Sequence, residues 1–180
     1  MKIYATYGLG AALVGAVLTL VAFFTGLHGE HIQYAAPVGY LAIFVAIVAV
    51  VLGMRACRTA AAERGMTYGR GLGAGVLISL WQSVAGALFN LLYVVVINPA
   101  FNDTMIAYQM SKLEEKQLPP QALEMSEKIM HTMMNPAIQT VVAVLGGIFW
   151  GCIISLIAAA VLKRAPAPES LLEEVPPPVA

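Results

Sequence analysis

The chain has 180 residues and no net formal charge, with 59% hydrophobic side chains and 11% charged ones. A soluble domain carries about a quarter of its residues charged, so a water-soluble core is excluded as the home for this much apolar surface. Charge balance also excludes bulk electrostatic recruitment of nucleic acid, which leaves the lipid bilayer as the principal partner.

Crossing a hydrocarbon core of about 30 Å takes roughly 20 apolar residues in a helix. Four stretches qualify, at about 4–27, 36–54, 71–97 and 137–162, and none holds Asp, Glu, Lys, Arg or His. They predict an all-α, four-helix transmembrane bundle forming one domain over 1–164. The first apolar run exceeds the core of a secretory signal and no A-x-A site follows it, so a retained helix is expected.

Cations fall unevenly along the chain. Lys2 precedes the first span, Arg55, Arg58, Arg64 and Arg70 fill the second connection, and Lys163 and Arg164 follow the fourth span. The first connection has neither Lys nor Arg. Positively charged loops stay in the cytoplasm, which predicts cytoplasmic N and C termini. The four arginines are also placed to contact anionic lipid head groups. Cys57 and Cys152 belong to different depths and are not expected to pair.

The gap at 98–135 then lies outside, and its pattern predicts an amphipathic helical hairpin. Asn98-Pro99 reads as a cap with proline in the first turn, and Phe101, Met105 and Tyr108 recur at helical spacing. Pro119-Pro120 breaks this helix and starts a second one, whose apolar face is Ala122, Met125, Ile129 and Met133. Asn135-Pro136 opens the fourth span. Beyond Arg164, "APAPESLLEEVPPPVA" predicts a disordered, proline-rich cytoplasmic tail over 165–180.

Inside the third span, Gly75, Ser79, Gln82, Gly86 and Asn90 alternate spacings of four and three, which keeps them on one helix face, with Ser83 beside them. Similar rows are Gly8, Ala12, Gly15, Thr19, Ala22 and Gly26 in the first span, Gly39, Ala42, Ala46, Ala49 and Gly53 in the second, and Thr140, Val144, Gly147, Gly151 and Ser155 in the fourth. Helices in lipid associate through close backbone approach and interhelical hydrogen bonds. The small faces are therefore expected to meet, with Gln82 and Asn90 bonded inside the bundle or across to another chain.

The residue pattern favours a structural or accessory-subunit role without catalysis or cofactor. The alternative is a conduit for an ion or small polar solute lined by the third span, although such paths usually carry a charged group at depth. A weaker alternative is extracytoplasmic copper held by His28, His31, His131, Met130 and Met134, residues whose imidazole and thioether groups suit cuprous copper. Methionine as an adaptable apolar filler explains the same residues. "GRGLGAG" at 69–75 lacks the preceding strand and the Lys-Ser or Lys-Thr of a phosphate loop. No nucleophile, base and acid set is evident.

Several marks taken together resemble a bacterial family catalogued as domain of unknown function 4199. They are Gly39-Tyr40 entering the second span, Gly53 then Arg55 at its exit, Tyr68-Gly69-Arg70 before the third, Asn98-Pro99-x-Phe101, Asn135-Pro136, and the Gly-x-x-x-Ser-Leu-Ile ending at Ile157. The resemblance runs nearly to Arg164. It implies an integral inner-membrane protein of four spans with an extracytoplasmic helical pair, and no known activity, cofactor or partner. The residue pattern adds a homo-oligomer or another membrane protein as the expected partner.

Overall fold

The computed structural model describes residues 2–61 and 66–162; Arg64, Lys163, Arg164 and the tail at 165–180 lie outside them. In chain order the elements are α1 (Lys2–Phe24), a 3-10 turn (Ile32–Tyr34), α2 (Ala36–Ala60), α3 (Tyr68–Leu92) running on into a π-helical turn (Tyr93–Ile97), α4 (Phe101–Glu114), α5 (Pro120–Met133) and α6 (Pro136–Leu162). Every regular element among the described residues is helical, as the composition predicts. The four spans are α1, α2, α3 with its π turn, and α6; each is long and apolar enough to cross a membrane, with mean hydropathy between 1.8 and 2.6.

The ends differ from expectation for local reasons. Gly26 does not share the small face of the first span, because α1 stops at Phe24 and Gly26 turns the chain at φ +76, a backbone region that glycine enters freely. At the other side α2 continues through "MRACRTA", a run of good helix formers, so Arg55 and Arg58 stand on a helix rather than in a loop. Asn98 does not cap α4. Proline at 99 holds Asn98 extended at φ -138, ψ 75, and α4 begins after Ala100. Asn135 does cap α6, its Oδ1 accepting from the Ala137 amide at 3.0 Å.

Packing within the bundle is dominated by α3, which lies against α6 over its length and also touches α1 and α2. The α3–α6 contact is a ladder of small residues read in opposite directions. Gly71 meets Ala159, Gly75 meets Ser155, Ser79 meets Gly151 and Ser83 meets Gly147. A Cβ added at Gly75 would lie 2.6 Å from Ser155 Cβ, and one added at Gly147 would lie 2.9 Å from Ser83 Cβ, both closer than carbon atoms approach. Each rung thus pairs a residue without a side chain with a small one, which is the condition for close backbone approach in lipid.

The serines at this contact do not bridge the helices. Ser79 Oγ donates to the Gly75 carbonyl at 3.0 Å, and Ser155 Oγ donates to the Gly151 carbonyl at 2.5 Å, each four residues back on its own helix. Their hydroxyls are therefore satisfied without water, and the ladder is held by van der Waals contact.

One end of the bundle has a packed centre. Val50, Met54, Ile78, Ala158, Ala159 and Leu162 form a buried cluster supported by Tyr4 and Tyr7. Ile78 is fully buried because Gly8 of α1 and Gly53 of α2 make room for it; an added Cβ would lie 2.6 Å from Ile78 O at Gly8 and 2.6 Å from Ile78 Cδ1 at Gly53. Arg55 sits at this end, beside Met54. Toward the middle of the spans, packing opens into cavities.

Candidate functional site

Two places gather polar chemistry. The first is midway along the spans. A cavity of about 560 Å³ lies between α2 and α6, walled by Ile43, Ile47, Trp150 and Ile154, with Ser79, Gln82 and Ser83 of α3 behind. A second, of about 340 Å³, lies between α1, α3 and α6 and is lined by Thr19, Gln82, Ser83, Gly86 and Asn90. Gln82, Ser83 and Gly147 line both.

These voids exist because the Gly/Ser ladder pulls α6 onto α3 while α2 brings the bulkier Ile43, Ile47 and Val50 to the same region. Gln82 Oε1 is buried without a hydrogen-bond partner among the described residues. Neither Gln82 nor Asn90 acquires the interhelical partner expected from sequence. Gly86 also departs from the expected contact face. A Cβ there would meet nothing within 4 Å, so Gly86 is wall to the smaller cavity rather than a helix contact.

The second place is a clamp at the opposite end from Arg55. Tyr93, 1% exposed, starts the π-helical turn of α3. His28 Nδ1 lies 2.7 Å from its hydroxyl, and Asn98 Nδ2 donates to the same oxygen at 3.1 Å. Phe101 packs on both rings, with centroids 4.7 Å from His28 and 5.5 Å from Tyr93, and Phe23 and Phe89 close the remaining sides of Tyr93.

A phenol has one proton to give. Because Asn98 donates to Tyr93, full satisfaction has Tyr93 donating to an unprotonated His28 Nδ1, with the imidazole proton on Nε2. Burial pushes the His28 pKa below its ordinary value, in the same direction. The clamp joins the α1–α2 connection, the end of α3 and the start of α4. Beside it, Asn102 Nδ2 donates to the Met134 carbonyl at 2.8 Å, fastening α4 to the turn between α5 and α6.

The π turn has a sequence cause. Pro99 offers no N–H, and the Asn98 amide reaches back five residues to the Tyr93 carbonyl at 2.7 Å, which widens the last turn around the β-branched run Val94 to Ile97. Tyr93 was not among the residues singled out from sequence. Its only local signal is an aromatic five residues ahead of an Asn-Pro pair, and its histidine partner is 65 residues away in the chain.

Three of the residues weighed for copper have other neighbours. His28 belongs to the clamp, His131 is exposed on α5 with Glu127 4.0 Å away, and Met134 receives the Gln139 amide at 3.8 Å through its sulfur. Among the described residues no three His, Cys, Asp or Glu side chains converge. Arg70 sits in the first turn of α3, where Thr67 caps the helix by accepting from the Arg70 amide. Cys57 and Cys152 are free thiols on α2 and α6.

Four apolar helices long enough to span a bilayer, two of them joined by a small-residue ladder, mark a multi-span α-helical membrane protein. Within that class the chain belongs to the family described as protein of unknown function DUF4199, which it matches over residues 6–164. Neither a curated protein nor a solved structure matches it.

The clamp predicts a pH dependence. With the folded pKa of His28 below its ordinary value near 6.5, the unfolded chain takes up the proton first as pH falls. The His28 contribution is therefore complete above about pH 6.5 and is lost progressively below it. Thermal unfolding in detergent, followed from pH 8 to pH 5, is expected to fall more steeply for the wild type than for His28→Gln, which keeps a hydrogen-bonding side chain but does not titrate. Parallel pH profiles would remove His28 as the titrating group.

Proposed function

We propose that this protein is a non-catalytic accessory component of the bacterial inner membrane. In this reading α4 and α5 form an interaction element on the extracytoplasmic side, and both termini are cytoplasmic. The orientation is supported by the sequence, in which Lys2, Arg55, Arg58, Arg64, Arg70, Lys163 and Arg164 fall in the termini and the second connection while 98–135 has an acidic excess.

The interaction role is carried by one observation, the incomplete covering of α5. The apolar arc of this helix runs from Met125, Ile129 and Met133 around to Leu123 and Met130. Leu123 and Met130 are half-buried, whereas Met125 is 66%, Ile129 53% and Met133 50% exposed, a ridge one turn apart at each step. The polar side, with Glu124, Glu127, Lys128 and His131, faces away from it. A free apolar ridge on a helix whose C-terminal turn is tied to α4 through the Asn102–Met134 bond is the arrangement of a contact surface.

A photoactivatable side chain at 129 is expected to yield a discrete protein adduct in native membranes, to a second copy or another membrane protein, while the same probe at 128 yields none. Equal labelling from both positions, or none from 129, would overturn the interaction role.

A conduit is the second reading, supported by the two cavities that share Gln82, Ser83 and Gly147. The accessory reading expects reconstituted vesicles to pass ions and small solutes no faster than empty ones. Flux that Gln82→Leu abolishes would replace it with the conduit.

A further inference from the structure

The 560 Å³ cavity is not the end of the gap between α2 and α6. A further void of about 420 Å³ follows it, lined by Ile47, Val51, Arg55, Ile154, Ile157 and Val161, so that Ile47 and Ile154 are walls of both. The two lie end to end along one helix pair, from the middle of the spans to Arg55. At 1.5 Å rise per residue, Ile43 and Arg55 are about 18 Å apart along α2. Half the thickness of a bilayer hydrocarbon core is about 15 Å. The groove is thus one leaflet deep.

Its walls and its mouth differ in chemistry. The walls open outward and are largely aliphatic, with Ile43, Ile157 and Val161 58%, 66% and 76% exposed to the lipid side, while Ser79, Gln82 and Ser83 are confined to the α3 floor of its inner end. At the mouth Arg55 is exposed and has no acidic partner among the described residues, and Arg58 follows it three residues on. Guanidinium groups pair with phosphate in a two-pronged geometry. A largely apolar slot of leaflet depth that ends at a guanidinium without an acidic partner among the described residues is complementary to an amphiphile with an aliphatic tail and an anionic head.

We propose that the groove between α2 and α6 holds an acyl chain of one anionic glycerophospholipid, drawn from the leaflet at the Arg55 end, with the lipid phosphate at the Arg55 guanidinium. The site uses the membrane placement of the bundle and is independent of the role assigned to α5. It also accounts for the loose α2–α6 contact: the lipid chain fills space that the ladder between α3 and α6 leaves open. A zwitterionic lipid presents the same tail but carries a cationic group beside its phosphate, so Arg55 discriminates by net head-group charge.

The purified full-length chain, stripped of lipid in detergent, is incubated with phosphatidylglycerol or phosphatidylcholine of identical acyl chains, and the one-lipid adduct is measured by native mass spectrometry. Retention of phosphatidylglycerol is expected to exceed that of phosphatidylcholine about fivefold, the equivalent of about 1 kcal/mol for one cation near the surface. Arg55→Gln brings the two lipids to parity. Ile47→Trp with Ile157→Trp, both at lipid-facing positions, plugs the groove and lowers retention of both, whereas Leu13→Trp on the exposed face of α1 leaves it unchanged and reports that such substitutions fold. Equal retention of the two lipids by the wild type would overturn the proposal. So would an adduct indifferent to the tryptophan pair, or a protein dimer that the pair dissociates in the absence of any lipid adduct.

Discussion

The architecture depends on how closely α3 and α6 approach. In a bilayer, apolar side chains gain little by leaving lipid for each other, so helices need surfaces that fit at short range. Gly75, Gly147 and Gly151 supply absences, and Ser155, Ser83 and Ser79 fill them. Reciprocity matters: glycine stands on α3 in the first two rungs, Gly71 and Gly75, and on α6 in the next two, so neither helix is smooth and each fixes the register of the other. Ser79 and Ser155 return their hydroxyl protons to their own helices, which leaves those two rungs apolar.

Once α6 is drawn onto α3, the rest of the bundle accommodates it. At the Arg55 end Ile78 is wedged between Gly8 and Gly53 and the helices close around it. Farther along, α2 presents Ile43 and Ile47 where no glycine faces them, and the α2–α6 side stays open. At the far end closure depends on polar chemistry instead. Tyr93, His28 and Asn98 share one hydroxyl inside a ring of phenylalanines, and the same clamp seats the first turn of α4. A close α3–α6 seam beside an open α2–α6 side is thus a consequence of where glycines, β-branched side chains and one tyrosine fall.

Much of this was legible in the sequence. Spans without charge can only be read one way, and Pro119-Pro120 and Asn135-Pro136 marked helix ends through missing N–H groups and a capping carbonyl. The small-residue rows also pointed to α3 and α6, and Gly75, Ser79, Gly147, Gly151 and Ser155 meet there. What could not be read was which of several equivalent rows is used: Gly15, Gly39 and Gly86 have the same spacing, yet a Cβ at any of them would meet nothing within 4 Å. Period alone does not say which neighbour lies opposite. Asn98 departs from expectation for a different reason: its pairing with proline suggests a cap on the following helix, while its side chain and amide both turn back to Tyr93, five residues earlier. The clamp itself joins residues from three separate segments, and no spacing rule brings them together.

The pairing of absence with presence across α3 and α6 is tested most directly by exchanging the two members of one rung. Thermal unfolding in detergent would be measured for the wild type, Ser79→Gly, Gly151→Ser and the double exchange. Gly151→Ser alone sets two side chains into one space and should lower the melting temperature, overpacking of this kind costing about 1–3 kcal/mol. The double exchange, which moves the side chain to the other helix and keeps one per rung, should recover most of that loss. Strictly additive effects, with no recovery in the double exchange, would mean that Ser79 and Gly151 do not face each other and would contradict the ladder.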